Sequence, residues 1–243
     1  MIISMPRSLP TNTYSGQVLV DRPIAYYPCQ DTAGAVLIDV TGHGYDLQTY
    51  GGVTVNQSGP HGFRSVAFDG STGYAQAVRT PQPAWIAHGS MTLELWGLIT
   101  NDLSHYGFLA GIRQSNSGEF YMLQLENTNT LETRFTNSSG THQDFDGQSD
   151  IPTWASHRWH HGALVYDAPA QTLTFFSDGH IVAQCSATGG ITVTPMPFWV
   201  GAQGGAGDNP FEGNLAHIAL YDYALSPRQV LRHVNTARLH TIR

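Results

Sequence analysis

The stretch from Trp159 to Ala183 constrains the fold of this chain more than any other. Trp159-His160-His161-Gly162-Ala163-Leu164-Val165-Tyr166-Asp167 reads as one strand, and Leu173-Thr174-Phe175-Phe176-Ser177 reads as a second after a short spacer. Asp178-Gly179 follows, and then His180-Ile181-Val182-Ala183. Gly accepts the positive φ that a two-residue hairpin turn demands, and Asp tolerates local left-handed backbone. Apolar and β-branched residues flank this turn on both sides, so an antiparallel hairpin is predicted.

The same rhythm of short strand and turn runs through the chain. Ile24 to Pro28 begins a strand, Asp39 to Gly44 is turn-rich, and Val66 to Asp69 runs into a turn at Gly70. Ala75 to Val78 is a second short strand there. In Met91 to Ile99, the residues Met91, Leu93, Leu95, Gly97 and Ile99 share one face. The other face holds Thr92, Glu94, Trp96 and Leu98 and is only half polar, so something must cover it. Phe108 to Ile112, Phe120 to Leu125, Leu131 to Phe135, Trp199 to Gly201 and Leu215 to Tyr221 continue the pattern. The predicted helix follows: Ser226 as N-cap, Pro227 at the first helical position and Gln229 completing a capping box, with Val230, Leu231 and Val234 as its apolar stripe. No linker divides the chain. Residues 1–21 read as a polar N-terminal arm, 22–236 as one sandwich domain and 237–243 as a tail.

Charged residues make up only 12%, with 26 Gly and 13 Pro, which suits many short strands rather than a helical bundle. Lysine is absent, and the net charge of −7 argues against a nucleic-acid binder, which needs a cationic face. All 18 acidic residues lie between Asp21 and Asp222, while Arg7, Arg228, Arg232, Arg238 and Arg243 lie outside that span. Two readings stand: basic ends that dock on an acidic partner, and a helix that carries Arg toward its C-terminus to suit its dipole. Cys29 and Cys185 sit in apolar surroundings and read as free thiols. No signal-peptide pattern opens the chain and no window suits a membrane span, so membrane insertion is not expected.

Four further blocks carry a family resemblance. They are Ala25-Tyr26-Tyr27-Pro28-Cys29-Gln30-Asp31, Asp39-Val40-Thr41-Gly42-His43-Gly44-Tyr45-Asp46-Leu47, Val66 to Tyr74, and Phe211 to Ser226. With the Trp-His-His and Asp-Gly stretch, they resemble the laminin-G-like, concanavalin-A-like jelly-roll domains, across about Arg22 to Thr236. The resemblance implies an all-β, antiparallel jelly-roll sandwich with a short C-terminal helix, and a binding role more often than a catalytic one. Members that hold calcium tend to place acidic residues in the Asp39 loop and where this chain has Ala216-His217. Asp39 remains as a calcium-ligand candidate, but two carboxylates are missing from an ion that wants six to eight oxygens. No other cofactor is implied.

Little else points to chemistry. His160 and His161 are neighbours on a strand and face opposite ways, so with His157 they read as structural rather than as metal ligands. A glycosidase needs two carboxyl groups on one sugar ring. Glu94 stands alone in its strand, Glu126 and Glu132 lie in hairpin-like segments, and no activity is expected. A glycan site would use loop aromatics, for which Trp85, Tyr106 and Trp154 are candidates, with core packing as the alternative reading for each. The resemblance extends to modules of phage particles. The expected role is therefore a bacteriophage head-decoration or tail-associated virion protein that contacts other virion proteins or its own copies, with cell-surface glycans as further partners. A free lectin is the alternative, and a glycoside hydrolase ranks behind both.

Overall fold

The computed structural model describes residues 13–78, 89–100, 104–113, 119–126, 128–145, 153–190 and 197–240. After helix α1 (Tyr14–Val20) come β1 (Ala25–Tyr27), β2 (Val36–Leu37), β3 (Leu47–Tyr50), β4 (Val53–Ser58), β5 (Arg64–Asp69) and β6 (Tyr74–Ala77). The middle of the chain forms β7 (Met91–Ile99), β8 (Gly107–Ile112), β9 (Phe120–Gln124), β10 (Leu131–Thr136) and β11 (His142–Phe145). Then follow β12 (Trp159–Asp167), β13 (Thr172–Ser177), β14 (His180–Ser186), β15 (Trp199–Val200), β16 (Glu212–Tyr221) and helix α2 (Pro227–His240). They build two antiparallel sheets. Sheet A has the order β14-β13-β12-β7-β16-β5-β4, with β1 also on β16; sheet B has the order β11-β10-β9-β8-β15-β6-β3-β2. This is the expected jelly-roll sandwich.

The hairpin forms as its turn chemistry dictates. Ser177 pairs with His180, and the two residues between them, Asp178 and Gly179, have φ of 51° and 88°. Two successive positive φ values match the twist of the flanking strands. The Asp178 carboxylate then reaches across to β12: Oδ1 accepts from the His161 amide at 2.9 Å and Oδ2 lies 2.9 Å from His160 Nδ1. Burial would raise the Asp178 pKa, but the bonds from His160 and the His161 amide hold it below the usual value. One acidic turn residue thus staples the hairpin to its neighbour, and the His160 side chain has the structural role its motif suggested.

Alternation sorts side chains between two clusters. Met91, Leu93, Leu95 and Ile99 face inward and meet Leu109, Met122, Phe135 and Val200 of sheet B in the main core. Trp96 faces outward and packs with Tyr14, Val18, Val230, Val234 and Ala237. The half-polar outer face of β7 is therefore covered, as required, and its cover is the pair of helices. The capping box of α2 is present: Gln229 Oε1 accepts from the Ser226 amide at 3.0 Å, and Ser226 Oγ accepts weakly from the Gln229 amide at 3.4 Å.

The boundaries of the arm and tail need correction. Residues 14–20 are helical, with Thr13 Oγ1 accepting from the Gly16 amide at 3.1 Å, and Tyr14 and Val18 are fully buried. A seven-residue helix carrying Gly16, Val18 and Val20 has poor intrinsic propensity; burial against sheet A makes it. At the other end α2 runs past residue 236, and Ala237 is buried. Cys29 is buried and Cys185 half-buried, and both are free thiols.

Candidate functional site

The outer face of sheet B is partly closed: Phe108, Tyr121, Leu123 and Trp199 form a buried cluster on it, while Tyr50 and Tyr106 stay exposed. Strand registers line up one row across it: Asp144 opposite Arg134, Arg134 opposite Tyr121, and Tyr121 opposite Gly111. The row continues through Trp199, Gln76 and Gln48 to Val36. Directly paired residues share a face, so these side chains look the same way. Eight strands at a spacing of about 4.8 Å give a row roughly 34 Å long.

One end of the row is charged and concave. A cleft of about 290 Å³ is lined by Tyr106, Arg113, Tyr121, Leu123, Glu132, Arg134 and Asn209. The Arg134 guanidinium lies 3.1 Å from both Glu132 and Asp144. Tyr121 donates to Glu132 Oε1 at 2.7 Å, and burial together with the Glu132 charge pushes its phenol well above the ordinary value. Arg113 pairs with Glu119 at 3.2 Å, donates to Gln203, and sits 5.2 Å over the Tyr121 ring. Glu119 also accepts from Thr136 Oγ1 at 2.7 Å.

The other end is aromatic. Tyr50 and Tyr74 stack at 4.8 Å, and Tyr74 meets Trp199 at 5.8 Å. Between the two ends, Gly111 (φ 151°) lets β8 approach β9 so closely that a Cβ there would stand 2.4 Å from Tyr121 Cβ. Flat apolar rings, amides and Arg–carboxylate forks on one surface suit a ligand with both C–H faces and hydroxyl groups. Around the cleft Glu119 is paired with Arg113 and Glu132 with Arg134.

The residues expected from sequence separate. Tyr106 lines the cleft and is 40% exposed. Trp154 is corrected: it is 1% exposed, its indole N–H donates to Ser177 Oγ at 3.1 Å, and its ring stacks on His160, so it cannot meet a ligand. Trp85, Arg7 and Arg243 lie outside the described residues. Arg228 and Arg238 are exposed on α2. Arg232 is also corrected, because it pairs with Asp21 of its own chain at 2.6 Å rather than standing ready for a partner.

Asp39 does not fit a calcium site. Its Oδ1 accepts from the Tyr26 and Thr41 amides and its Oδ2 from the Tyr45 amide, while Thr41 Oγ1 donates as well. Nearby Asp46 accepts from the Asp39 amide at 2.8 Å. These carboxylates organise a loop, and both oxygens of Asp39 already accept from protein donors. Among the described residues, no cluster of three or more His, Cys, Asp or Glu side chains is arranged to hold a metal ion.

Sequence reasoning missed most of the charged cleft, because Glu132 looked like a hairpin residue. The alternation of Tyr121 with Leu123 and of Glu132 with Arg134 was the available signal. Glu94 is the one acid of its strand, but its partners come from other elements. It is fully buried under the helices, with Tyr221 Oη donating to Oε1 at 2.6 Å, and His233 Nδ1 and His161 Nε2 at 3.0 and 3.3 Å from Oε2.

Comparison with known proteins places this geometry. No curated protein matches the chain. Among solved structures, the binding domain of Paraclostridial Mosquitocidal Protein 1 superposes with a TM-score of 0.68 at 15% identity, over 90% of this chain and 53% of that one. The binding domain of Botulinum Neurotoxin DC in complex with SialylT gives 0.67 at 13% identity, over 89% and 51%. The same toxin domain in complex with rat synaptotagmin II gives 0.68 at 13%, over 89% and 52%. The chain thus spans about half the length of these structures, and identities this low establish a shared fold. A family model matches residues 69–231, from the last residue of β5 into α2 and across the hairpin, and by that match the chain belongs to the Laminin_G_3 family of the Concanavalin A-like lectin/glucanases superfamily.

Proposed function

We propose that this chain is a non-enzymatic binding module whose sheet B face takes a largely neutral glycan, and that it serves as a structural or adhesion component of a bacteriophage virion. The observation that carries the binding role is the cleft at the charged end of the sheet B row, where exposed Tyr106 and half-buried Arg113, Arg134 and Asn209 surround Glu132. Arg113 and Arg134 are each matched by a carboxylate, so the cleft offers hydrogen bonds to hydroxyls rather than a bare positive charge. That relatives of this shape were solved with SialylT and with rat synaptotagmin II supports glycan or protein partners.

A glycan array tests the binding role. Tyr106→Ala and Arg134→Ala are each expected to weaken the strongest array hit by about 30-fold, roughly 2 kcal/mol. Chelation of calcium should leave binding unchanged, because the Asp39 carboxylate is already occupied by protein donors. Retained affinity in both variants would remove the face from consideration.

The virion role rests on the family resemblance and on Arg228 and Arg238, which stand exposed on α2 and could meet an acidic neighbour. Deletion of residues 1–20 removes α1 and is expected to abolish incorporation into particles. The paired substitution of Arg228 and Arg238 by Ser should reduce incorporation without touching the core. Normal incorporation of both variants, with glycan binding intact, would favour the free lectin instead.

A further inference from the structure

Two helices from opposite ends of the chain close the outer face of sheet A, and one histidine joins them to it. His233 is fully buried on α2. Its Nδ1 lies 3.0 Å from Glu94 Oε2 on β7, and its Nε2 lies 2.8 Å from Asp21 Oδ2 at the C-cap of α1. A neutral imidazole carries one N–H and can donate to only one carboxylate; the other would face a lone pair. A carboxylate on each nitrogen therefore calls for the imidazolium, which donates to both.

The other groups around this centre do not replace that charge. On β12, His161 approaches the same Glu94 oxygen, and on β16 Tyr221 donates to the second one. Tyr14 of α1 packs edge-on to the His233 ring, and lies against His217 of β16, which meets Tyr26 Oη of β1 at 2.7 Å. On the side of α2 itself, Arg232 and Gln229 bind Asp21, with Tyr223 beside them. His61 packs against Trp96 at the edge of the seam.

We propose that α1 and α2 form a proton-dependent clasp, in which charged His233 bolts both helices to the centre of sheet A and loss of its proton releases them while the sandwich stays folded. The main core lies between the sheets and shares no residue with the cluster under the helices, so the clasp can loosen without emptying it. Burial alone would lower the His233 pKa, but the Glu94 charge and the bonds to Asp21 and Glu94 outweigh it and raise the value to about 9. The sign follows from that rise. The added stability is fully present below the ordinary value of 6.5 and is lost as pH climbs through about 9. Glu94 and Asp21 are both held below their usual values and stay ionised across this window. Release would uncover Trp96, Val165, Phe176 and Tyr221.

Hydrogen exchange read by mass spectrometry at pH 6 and pH 9.5, corrected for intrinsic rates, tests the clasp. Protection of α2 is expected to fall on the order of a hundredfold between the two, with much smaller changes in β7 and β12. In His233→Gln the pH dependence of α2 should vanish. If that variant does not fold, Asp21→Asn provides the second arm, with the loss of α2 protection moved to lower pH. Constant protection of wild-type α2, a parallel loss in β7 and β12, pH dependence kept in His233→Gln, or an unmoved transition in Asp21→Asn would each overturn the proposal.

Discussion

Glu94→Ala is expected to destabilise the protein by about 3–5 kcal/mol, the usual cost of removing one partner from a buried ion pair. Urea unfolding at pH 7 would read this as a large fall in midpoint with little change in slope. The carboxylate is fully buried and meets Tyr221, His233 and His161 within 3.3 Å. Truncation leaves the His233 cation with Asp21 alone and strands the Tyr221 hydroxyl. Burial by itself would raise the Glu94 pKa, but the His233 charge and the bonds from both histidines hold it well below the ordinary 4.5. Its contribution is therefore present above that value and is lost only as pH falls through the depressed one. The gap between wild type and variant should close in strong acid. A loss below about 1 kcal/mol at pH 7 would mean that this carboxylate is not an ionised partner of His233.

Trp154→Ala is expected to cost about as much, roughly 3–5 kcal/mol, for a different reason. The Trp154 ring fills a slot that two glycines leave open. A Cβ on Gly97 would stand 2.7 Å from the ring, and a Cβ on Gly162 would stand 3.0 Å from it. Gly97 lies on β7 and Gly162 on β12, so the slot runs across the strand pair at the centre of sheet A. Removing the indole leaves a cavity that two rigid strands cannot collapse to fill, and leaves Ser177 Oγ without its donor. Thermal unfolding would show the loss directly. A variant within 1 kcal/mol of wild type would show that the slot can close.

The same tryptophan explains where sequence reasoning stopped. Trp154 precedes a Ser-His-Arg segment and is surrounded by turn formers, so its own neighbourhood looks like a loop. The glycines that receive it lie 57 positions upstream and 8 downstream, at Gly97 and Gly162. Nothing local couples them. Arg232 is a parallel case. Its excess charge at the chain end suggested an external partner, but Asp21, at the far end of the sequence, is brought within 2.6 Å. The capping box and the Asp178-Gly179 turn were legible because their partners are close in sequence or dictated by backbone φ. The cleft was only half legible. Tyr106 could be named from its setting, while Tyr121, Glu132 and Arg134 acquire meaning only when the strand registers place them opposite one another.

What the sequence determined by itself is most of the strands, though not β2, β3, β4 or β11, together with the hairpin, the C-terminal helix and the family, since alternation, turn chemistry and caps act over a few residues. Tertiary structure decided which face of each sheet is covered, and by what. The two helices cover sheet A because its outer face carries Trp96 and Tyr221, which need burial, and Glu94, which needs a buried cation. Sheet B buries part of its outer face around Tyr121 and Trp199 and leaves a cleft beside Tyr106 and Arg134, where side chains of separate strands converge. Such convergence depends on long-range register, and pairing between distant strands is set by the packing of the whole sandwich rather than by any short stretch of chain.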